Sequence, residues 1–273
     1  MDWSTMSLEA RNLAYNNVED VGPAFAREKT ESWLQISQDL RTRESGHLDL
    51  PYAGAERTKW DLYPSGNPQA PCLVHLHGGY WQRGSKEIFA CLTNGVRAHG
   101  WSAALPGYSL APDASLSQIV SELRQALDWF AVNARGHGIE GPVILTGWSA
   151  GGHLTALLLG HPAVKAGVCI SGVFDLAHLR DSPHVNDKVK LTETEVEELS
   201  PMRLPMAEKP LTISHGSSEL PAMIATSREY HRRRMEAHRD GELVAVPGKN
   251  HFTILDELLN PESGLVSSIL ALA

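Results

Sequence analysis

A lone serine stands at the end of an apolar, β-forming run in this sequence. Residues 142–147 are strand-like, and Trp148, Ser149 and three small residues follow before an apolar helical pattern begins. A G-x-S-x-G pattern is typical of a nucleophile elbow when a strand precedes it and a helix follows it. In that turn the serine is strained, and the free N–H groups of the helix face any negative charge that forms. The pattern predicts Ser149 as a nucleophile, and an ordinary strand-to-helix turn is the alternative.

A serine hydroxyl needs a general base within hydrogen-bond reach and a carboxylate that orients this base. His251 follows the strand-like run 242–248 and is the predicted base. Glu219 follows the strand-like run 210–216 and is the predicted acid. The order serine, acid, histidine along the chain is that of α/β-hydrolases. Three other carboxylates remain alternatives for the acid: Asp175, the main rival, and the weaker candidates Asp181 and Asp256.

A glycine-containing loop follows the strand-like run 72–77, with the sequence HLHGGYW over residues 75–81. Backbone N–H groups of such a loop, together with the amide of the residue after the nucleophile, stabilise a developing oxyanion. The predicted oxyanion hole draws on Gly78, Gly79, Tyr80 and Ala150.

His75 and His77 share a strand face in the same segment, which suggests a metal site as an alternative. A third ligand of matching spacing is not visible in the sequence, and zinc needs three or four protein ligands. We therefore predict no metal, and expect His77 to brace the glycine loop through a hydrogen bond.

Composition and charge exclude several classes of protein. The 273 residues include 32 acidic and 24 basic side chains, a formal net charge of −8, which argues against nucleic acid as a partner. The three cysteines are not closely spaced, so they indicate neither a disulfide framework nor a zinc site. No run reaches the ~18 apolar residues of a membrane span, and the first residues do not resemble a signal peptide. The expected location is the cytoplasm.

The elements that must position these residues alternate along the chain. Further strand-like runs cover 101–107 and 166–171, and helical patterns cover 86–99, 116–134, 149–160 and 221–238. This alternation predicts one α/β domain over 1–273, with a mostly parallel sheet and helices on both faces. Residues 56–64 alternate as in an edge strand. Residues 173–209 form a predicted cap or insertion that helps to roof the site, and the first 45 residues are predicted to be helical and amphipathic and to wrap the same region.

The segments HLHGGYW, GWSAGGH and GKNHF resemble, in that order, the motifs of hormone-sensitive-lipase-like esterases of the α/β-hydrolase fold. The resemblance is closer to the arylformamidase, or kynurenine formamidase, family. It rests on HGGYWQ, LAYNNVEDV (13–21), LDLPY (48–52) and HFTILDELLNPES (251–263), and it spans almost the whole chain. The family often has Asp in a GExDSPEF-like stretch, whereas this chain has GSSELPAM.

The resemblance implies a catalytic triad of Ser149, Glu219 and His251, and an enzyme of tryptophan catabolism that acts on N-formylkynurenine. The resulting hypothesis is a serine hydrolase without a cofactor, which cleaves a small acyl group such as formyl from an aryl amide or ester. Three aromatic side chains near the serine are predicted to bind a flat substrate, with core packing as the alternative: Tyr80, Trp81 and Trp148. A broad-range carboxylesterase is the first alternative, and a non-catalytic binding protein on the same fold is the second. We expect no membrane partner, and a homodimer because soluble enzymes often pair.

Overall fold

The fold centres on an eight-stranded sheet in a computed structural model that describes residues 6–273. The strand order across the sheet is β1-β2-β4-β3-β5-β6-β7-β8. The strands are β1 (His47–Pro51), β2 (Lys59–Tyr63), β3 (Cys72–Leu76), β4 (Ser102–Pro106), β5 (Val143–Trp148), β6 (Val164–Ile170), β7 (Leu211–Gly216) and β8 (Leu243–Val246). Strands β3 to β8 run parallel to one another, whereas the pairs β1–β2 and β2–β4 are antiparallel.

Helices cover both faces of this sheet, as the alternation of strand-like and helical patterns predicts. They are α1 (Leu8–Ala14), α2 (Asn17–Val21), α3 (Pro23–Arg43), α4 (Lys86–Phe89), α5 (Asn94–Arg97), α6 (Leu116–Asn133), α7 (Ala150–Leu158), α8 (Ala177–Arg180), α9 (Pro183–Val189), α10 (Glu193–Leu199), α11 (Pro221–Glu236) and α12 (Gly264–Leu270). The predicted α/β-hydrolase fold is confirmed. The predicted helix over 86–99 is interrupted, because a 3₁₀ turn over Ala90–Thr93 separates α4 from α5.

The prediction of an edge strand over residues 56–64 is wrong. β2 lies between β1 and β4, and β1 forms the edge of the sheet. The polar residue of the alternation, Asp61, is fully buried because Lys86 and Arg41 form ion pairs with its carboxylate. Paired charges can be buried where an isolated one cannot, so the alternation did not distinguish a solvent face from a face that carries a buried ion pair.

The N-terminal helices pack against the edge of the site and the sheet core. The helical prediction for this region is confirmed for its described part, and residues 1–5 lie outside that part. Trp33 of α3 is buried and stacks on Phe252, with ring centroids 6.3 Å apart, and it meets Trp148 edge-on at 6.1 Å. This aromatic cluster fixes α3 against the ends of β5 and β8.

Within residues 6–273, no helix is both long and apolar enough to cross a membrane.

The segment 173–209 contains α8, α9 and α10, short helices as predicted, and it contacts the glycine loop where Gln82 Nε2 donates to the Val185 carbonyl at 2.7 Å.

Candidate active site

Ser149 lies at the turn between β5 and α7 in a left-handed backbone conformation, with φ 57° and ψ −117°. The turn is tight enough to require a glycine: a Cβ on Gly151 would lie 2.0 Å from the Leu76 carbonyl oxygen. Ala150 is the first residue of α7, so its N–H has no partner within the helix. The local sequence thus produces a strained serine at a helix N-terminus, with a backbone donor beside it.

His251 and Glu219 approach each other from the loops that follow β8 and β7. His251 Nδ1 lies 3.1 Å from Glu219 Oε2, and both side chains are almost completely buried. Because a carboxylate only accepts, Nδ1 carries the proton of this hydrogen bond and Nε2 is left as the basic nitrogen. Trp148 Nε1 donates to the His251 carbonyl at 2.8 Å, which holds the histidine backbone against the end of β5.

The Glu219 carboxylate is itself held by two further donors. Its Oε1 accepts from the Gly216 amide at 2.6 Å and from the Ser171 hydroxyl at 2.6 Å. Together with His251, these donors satisfy both carboxylate oxygens and fix the group in one orientation. Charge-assisted hydrogen bonds of this kind are about twice as strong as neutral ones.

Asp175, the rival acid, is engaged elsewhere. Its Oδ1 accepts from the Ala177 amide at 3.0 Å and lies 3.3 Å from Arg203 Nη2. The weaker candidates are also occupied by basic side chains, Asp181 by Arg11 at 2.7 Å and Asp256 by Lys29 at 2.5 Å. The structure therefore brings Glu219, and none of these three aspartates, to His251.

The glycine loop after β3 turns sharply at Gly79, whose φ is +114°. A Cβ there would meet the Arg83 carbonyl oxygen at 2.3 Å, so the turn needs glycine. Among residues 6–273, the backbone amides of Gly79 and Tyr80 donate to no carbonyl, which leaves them available to an oxyanion. His77 braces this loop, as expected from the sequence, because its Nδ1 donates to the Gly78 carbonyl at 2.9 Å.

Ser149, His251 and the glycine loop border one cavity of about 370 Å³. Helices α2 and α3 form the opposite wall. Aromatic side chains make much of its surface: Tyr80, Phe89, Trp148 and Phe252. A volume at the lower end of the range for ligand pockets suits a small, flat molecule.

The three predicted substrate-binding aromatics have different positions. Tyr80 and Trp148 line the cavity. Trp81 is fully buried beneath the loop, where it meets the His153 ring edge-on at 5.0 Å, and it is absent from the lining. Its left-handed φ of 56° directs the side chain into the core, in agreement with the core-packing alternative.

The wall that residues 173–209 were expected to supply comes from α2 and α3, which belong to the first 45 residues that were expected to wrap the same region. Asn17 lines the cavity and donates from Nδ2 to the Tyr80 hydroxyl at 3.1 Å. The Tyr80 hydroxyl in turn donates to the Tyr15 carbonyl, and burial raises the pKa of Tyr80, so that it stays protonated. Residues 173–209 do not line the cavity, and they approach Tyr80 through the His184 ring, whose centroid lies 5.6 Å from that of Tyr80.

His75 of β3 and His77, just after its end, are both hydrogen-bonded to protein groups. His75 Nδ1 lies 3.0 Å from Thr146 Oγ1, and burial lowers the pKa of His75 to about 3 and that of His77 to about 4. In the part of the chain that the structure describes, no group of three or more His, Cys, Asp or Glu side chains is arranged to hold a metal ion.

Several residues at the site were not predicted from the sequence. Ser171, Phe89 and Phe252 contact the acid or line the cavity, as do Asn17 and Arg83. Asn17 falls within LAYNNVEDV and Phe252 beside His251, so two of the five lie in motifs that carry the resemblance. The others give no local signal, because only the fold brings them to the cavity.

Comparison with known proteins gives the family. The sequence profile of the BD-FAE family matches residues 61–231, more than half of the chain. The chain belongs to the BD-FAE family. A kynurenine formamidase of Danio rerio is 28% identical over 98% of this chain and 97% of that protein, and one of Drosophila melanogaster is 26% identical over 82% of this chain and 80% of that protein.

Solved structures of similar proteins share this fold. A structure described as a putative thioesterase from Silicibacter sp. TM1040 superposes with a TM-score of 0.81 at 29% identity, covering 95% of this chain and 98% of that one. An esterase from the archaeon Pyrobaculum calidifontis shares the fold, with a TM-score of 0.74 at 18% identity over 92% of this chain and 94% of that chain. This member of the BD-FAE family is a hydrolase of the α/β-hydrolase fold.

Proposed function

We propose that this hydrolase removes a small acyl group, formyl in the first instance, from an aryl amide, and that Ser149, His251 and Glu219 are its catalytic triad. The observation that carries the proposal is the hydrogen bond of 3.1 Å between His251 Nδ1 and Glu219 Oε2, beside a serine that lines the same cavity as the histidine. The kynurenine formamidases that match nearly the whole chain support formyl as the acyl group.

In the first half of the reaction, His251 Nε2 removes the hydroxyl proton of Ser149 as the oxygen attacks the carbonyl carbon. The resulting oxyanion accepts hydrogen bonds from the amides of Ala150, Gly79 and Tyr80, and each such donor contributes about 3 kcal/mol in comparable enzymes. Glu219 stabilises the imidazolium. His251 then donates its proton to the leaving nitrogen, so that the C–N bond breaks and an aryl amine departs.

In the second half, water replaces the amine. His251 removes a proton from the water as its oxygen attacks the acyl carbon of the ester on Ser149. Collapse of the second oxyanion breaks the bond to the serine oxygen, which recovers its proton from His251. A formyl group is released as formate, and the enzyme returns to its starting state without a cofactor.

The cavity supports an aromatic leaving group. The Trp148, Phe89, Tyr80 and Phe252 side chains present flat apolar surface beside the serine. Aromatic rings stack on such surfaces in offset or edge-on geometry, which adds about 1 kcal/mol to their burial. A volume of about 370 Å³ favours a single-ring substrate over a large acyl chain.

Two measurements test this proposal. A fluorophosphonate probe should add its mass to the peptide that contains Ser149, and purified protein should hydrolyse N-formylkynurenine with a higher kcat/KM than p-nitrophenyl acetate. Efficient turnover of the ester with none of the formamide would favour the alternative, a broad-range carboxylesterase. Failure of the probe to label Ser149 would favour a non-catalytic protein.

Three further expectations belong to the proposal. We place residues 1–273 in one domain and the enzyme in the cytoplasm, where the three buried, unpaired cysteines would remain reduced. We expect a homodimer, which sedimentation equilibrium tests directly; a monomer at micromolar concentration would contradict it. The ligand of the site is a small amide or ester, and neither nucleic acid nor a membrane is a partner.

A further inference from the structure

The cavity that contains Ser149 differs in charge from the rest of the molecule. The chain has eight more acidic than basic side chains. Among the described residues that line this cavity, however, the charged side chains are two arginines, Arg27 and Arg83, and none is an aspartate or glutamate. The Glu219 carboxylate lies behind His251 and is not part of the lining. A concave surface with charges of one sign attracts ligands of the opposite sign.

Arg83 is exposed and free to bind a ligand. In the structure of residues 6–273 its guanidinium has no carboxylate within 4.0 Å, whereas most of the described arginines do. Its backbone is fixed, because its amide donates to the Gly79 carbonyl at 3.2 Å and its own carbonyl packs against Gly79. The guanidinium therefore extends from the same turn that supplies the proposed oxyanion donors.

Arg27 approaches the cavity from another element. It belongs to α3, and its partner is Glu31 on the same helix, at 3.8 Å, with both side chains about 70% exposed. An exposed pair at this distance is weak and gives way to a ligand with little cost. Two arginines from separate elements thus line one small cavity.

We propose that Arg83, assisted by Arg27, binds a carboxylate on the substrate and makes the enzyme selective for acyl compounds that carry one. The inference rests on the proposed function, because it concerns substrates of the same site. The planar guanidinium matches a carboxylate in a bidentate geometry. A carboxylate held at the glycine loop would position the rest of the substrate relative to Ser149.

The test compares substrates with and without a carboxylate. N-formylkynurenine carries a carboxylate beside an ammonium group, whereas 2-formamidoacetophenone is a neutral aryl formamide with the same ketone and neither charge. A second pair, 3-acetoxybenzoate and its methyl ester, examines the same property with an ester bond. We expect Arg83→Gln to lower kcat/KM about tenfold for the anionic member of each pair, chiefly by raising KM, and to leave the neutral member within twofold.

Matched variants complete the experiment. Arg124→Gln removes an exposed arginine of α6 that does not line the cavity, and it should leave every substrate unchanged. Arg83→Lys should restore only part of the selectivity, since the charge remains and the bidentate geometry is lost. High salt should weaken the wild-type preference for the anionic members, because exposed charges are screened.

Three results would overturn the inference. Equal loss on the anionic and neutral members would show that Arg83 supports only the loop, and no loss on either would show that it does not contact the substrate. A preference, dependent on Arg83, for acetyl-coenzyme A over a simple acetyl thioester would assign the arginines to phosphate instead. If the wild type cleaves only the esters but still shows Arg83-dependent selectivity, the formamidase proposal fails while this inference stands.

Discussion

Glu219→Gln is the substitution that tests the proposed mechanism most sharply. Three donors converge on this carboxylate: His251 Nδ1 on Oε2, and the Gly216 amide and Ser171 hydroxyl on Oε1. A carboxamide has only one acceptor oxygen. The side with two donors retains that oxygen, so the NH₂ group faces His251. Nδ1 must then accept, which moves the imidazole proton to Nε2 and leaves no lone pair for the Ser149 proton.

The expected magnitude follows from this change of tautomer. Amide replacement of a triad acid lowers kcat by ~10⁴ in a comparable enzyme, and the range we expect is ~10³–10⁴. At ~1.36 kcal/mol for each tenfold change, the upper value corresponds to about 5.4 kcal/mol on the barrier. Asp175→Asn is the matched control. Its carboxylate pairs with Arg203, so its loss should lower kcat by less than about tenfold, or ~1.4 kcal/mol.

The assay is kcat on one neutral ester for both variants, with circular dichroism and thermal unfolding to establish that each protein is folded. A neutral ester keeps the result independent of the carboxylate selectivity proposed for Arg83. If Asp175→Asn proved to be the crippling change while Glu219→Gln remained within tenfold of wild type, the assignment of the acid would be reversed.

Three further predictions concern the nucleophile, metals and acid stability. Ser149→Ala should lower kcat by roughly 10⁶ while the substrate still binds, and residual activity above a few per cent of wild type would exclude the covalent mechanism. EDTA should leave the rate unchanged, and a loss that zinc restores would point back to His75 and His77. Burial lowers the pKa of His75 to about 3 and of His77 and His153 to about 4, so the unfolded chain binds protons at these positions below ~6.5 and the folded protein does not. The free energy of unfolding in urea should therefore fall between pH 7.5 and pH 5, by on the order of 2 kcal/mol per histidine, and a constant value would contradict the buried neutral state.

The fold, and the placement of Ser149 and His251 at one cavity, could be predicted because their signals are local. Ser149 lies in a strand–turn–helix pattern of about a dozen residues, and His251 follows the carboxyl end of β8, which runs in the same direction as β5. Glu219 was predicted from its position after β7, although three aspartates were alternatives. What separates them is a hydrogen bond across 32 positions of the chain, and such a contact has no signature in the sequence.

The expectations for Trp81, for residues 173–209 and for residues 56–64 differ from the structure, because each depends on the fold and not on a local pattern. Trp81 follows Tyr80 in the same loop, yet one faces the cavity and the other the core, because two successive left-handed residues reverse the direction of the chain. Residues 173–209 are rich in charge and proline, which is typical of a cap. The cavity is instead covered by α3, which the contact between Trp33 and Trp148 holds in place. The sequence pattern places Asp61 on a solvent-facing side, but Asp61 is buried because Lys86, 25 positions later, forms an ion pair with it.

Backbone strain is concentrated around the candidate site. Of seven non-glycine residues with positive φ among residues 6–273, four contact it or lie beside it: Tyr80, Trp81, Ser149 and Ser171. All four are at most 5% exposed, and such conformations cost on the order of 1–3 kcal/mol each. The folded state retains them because close packing leaves no room for the relaxed conformations. The same packing keeps the proposed donors for the oxyanion, and the donors to Glu219, fixed before the substrate arrives, so they need no reorganisation as charge develops. Strain at the ends of β3, β5 and β6 is therefore the energetic consequence of a site that is assembled in advance.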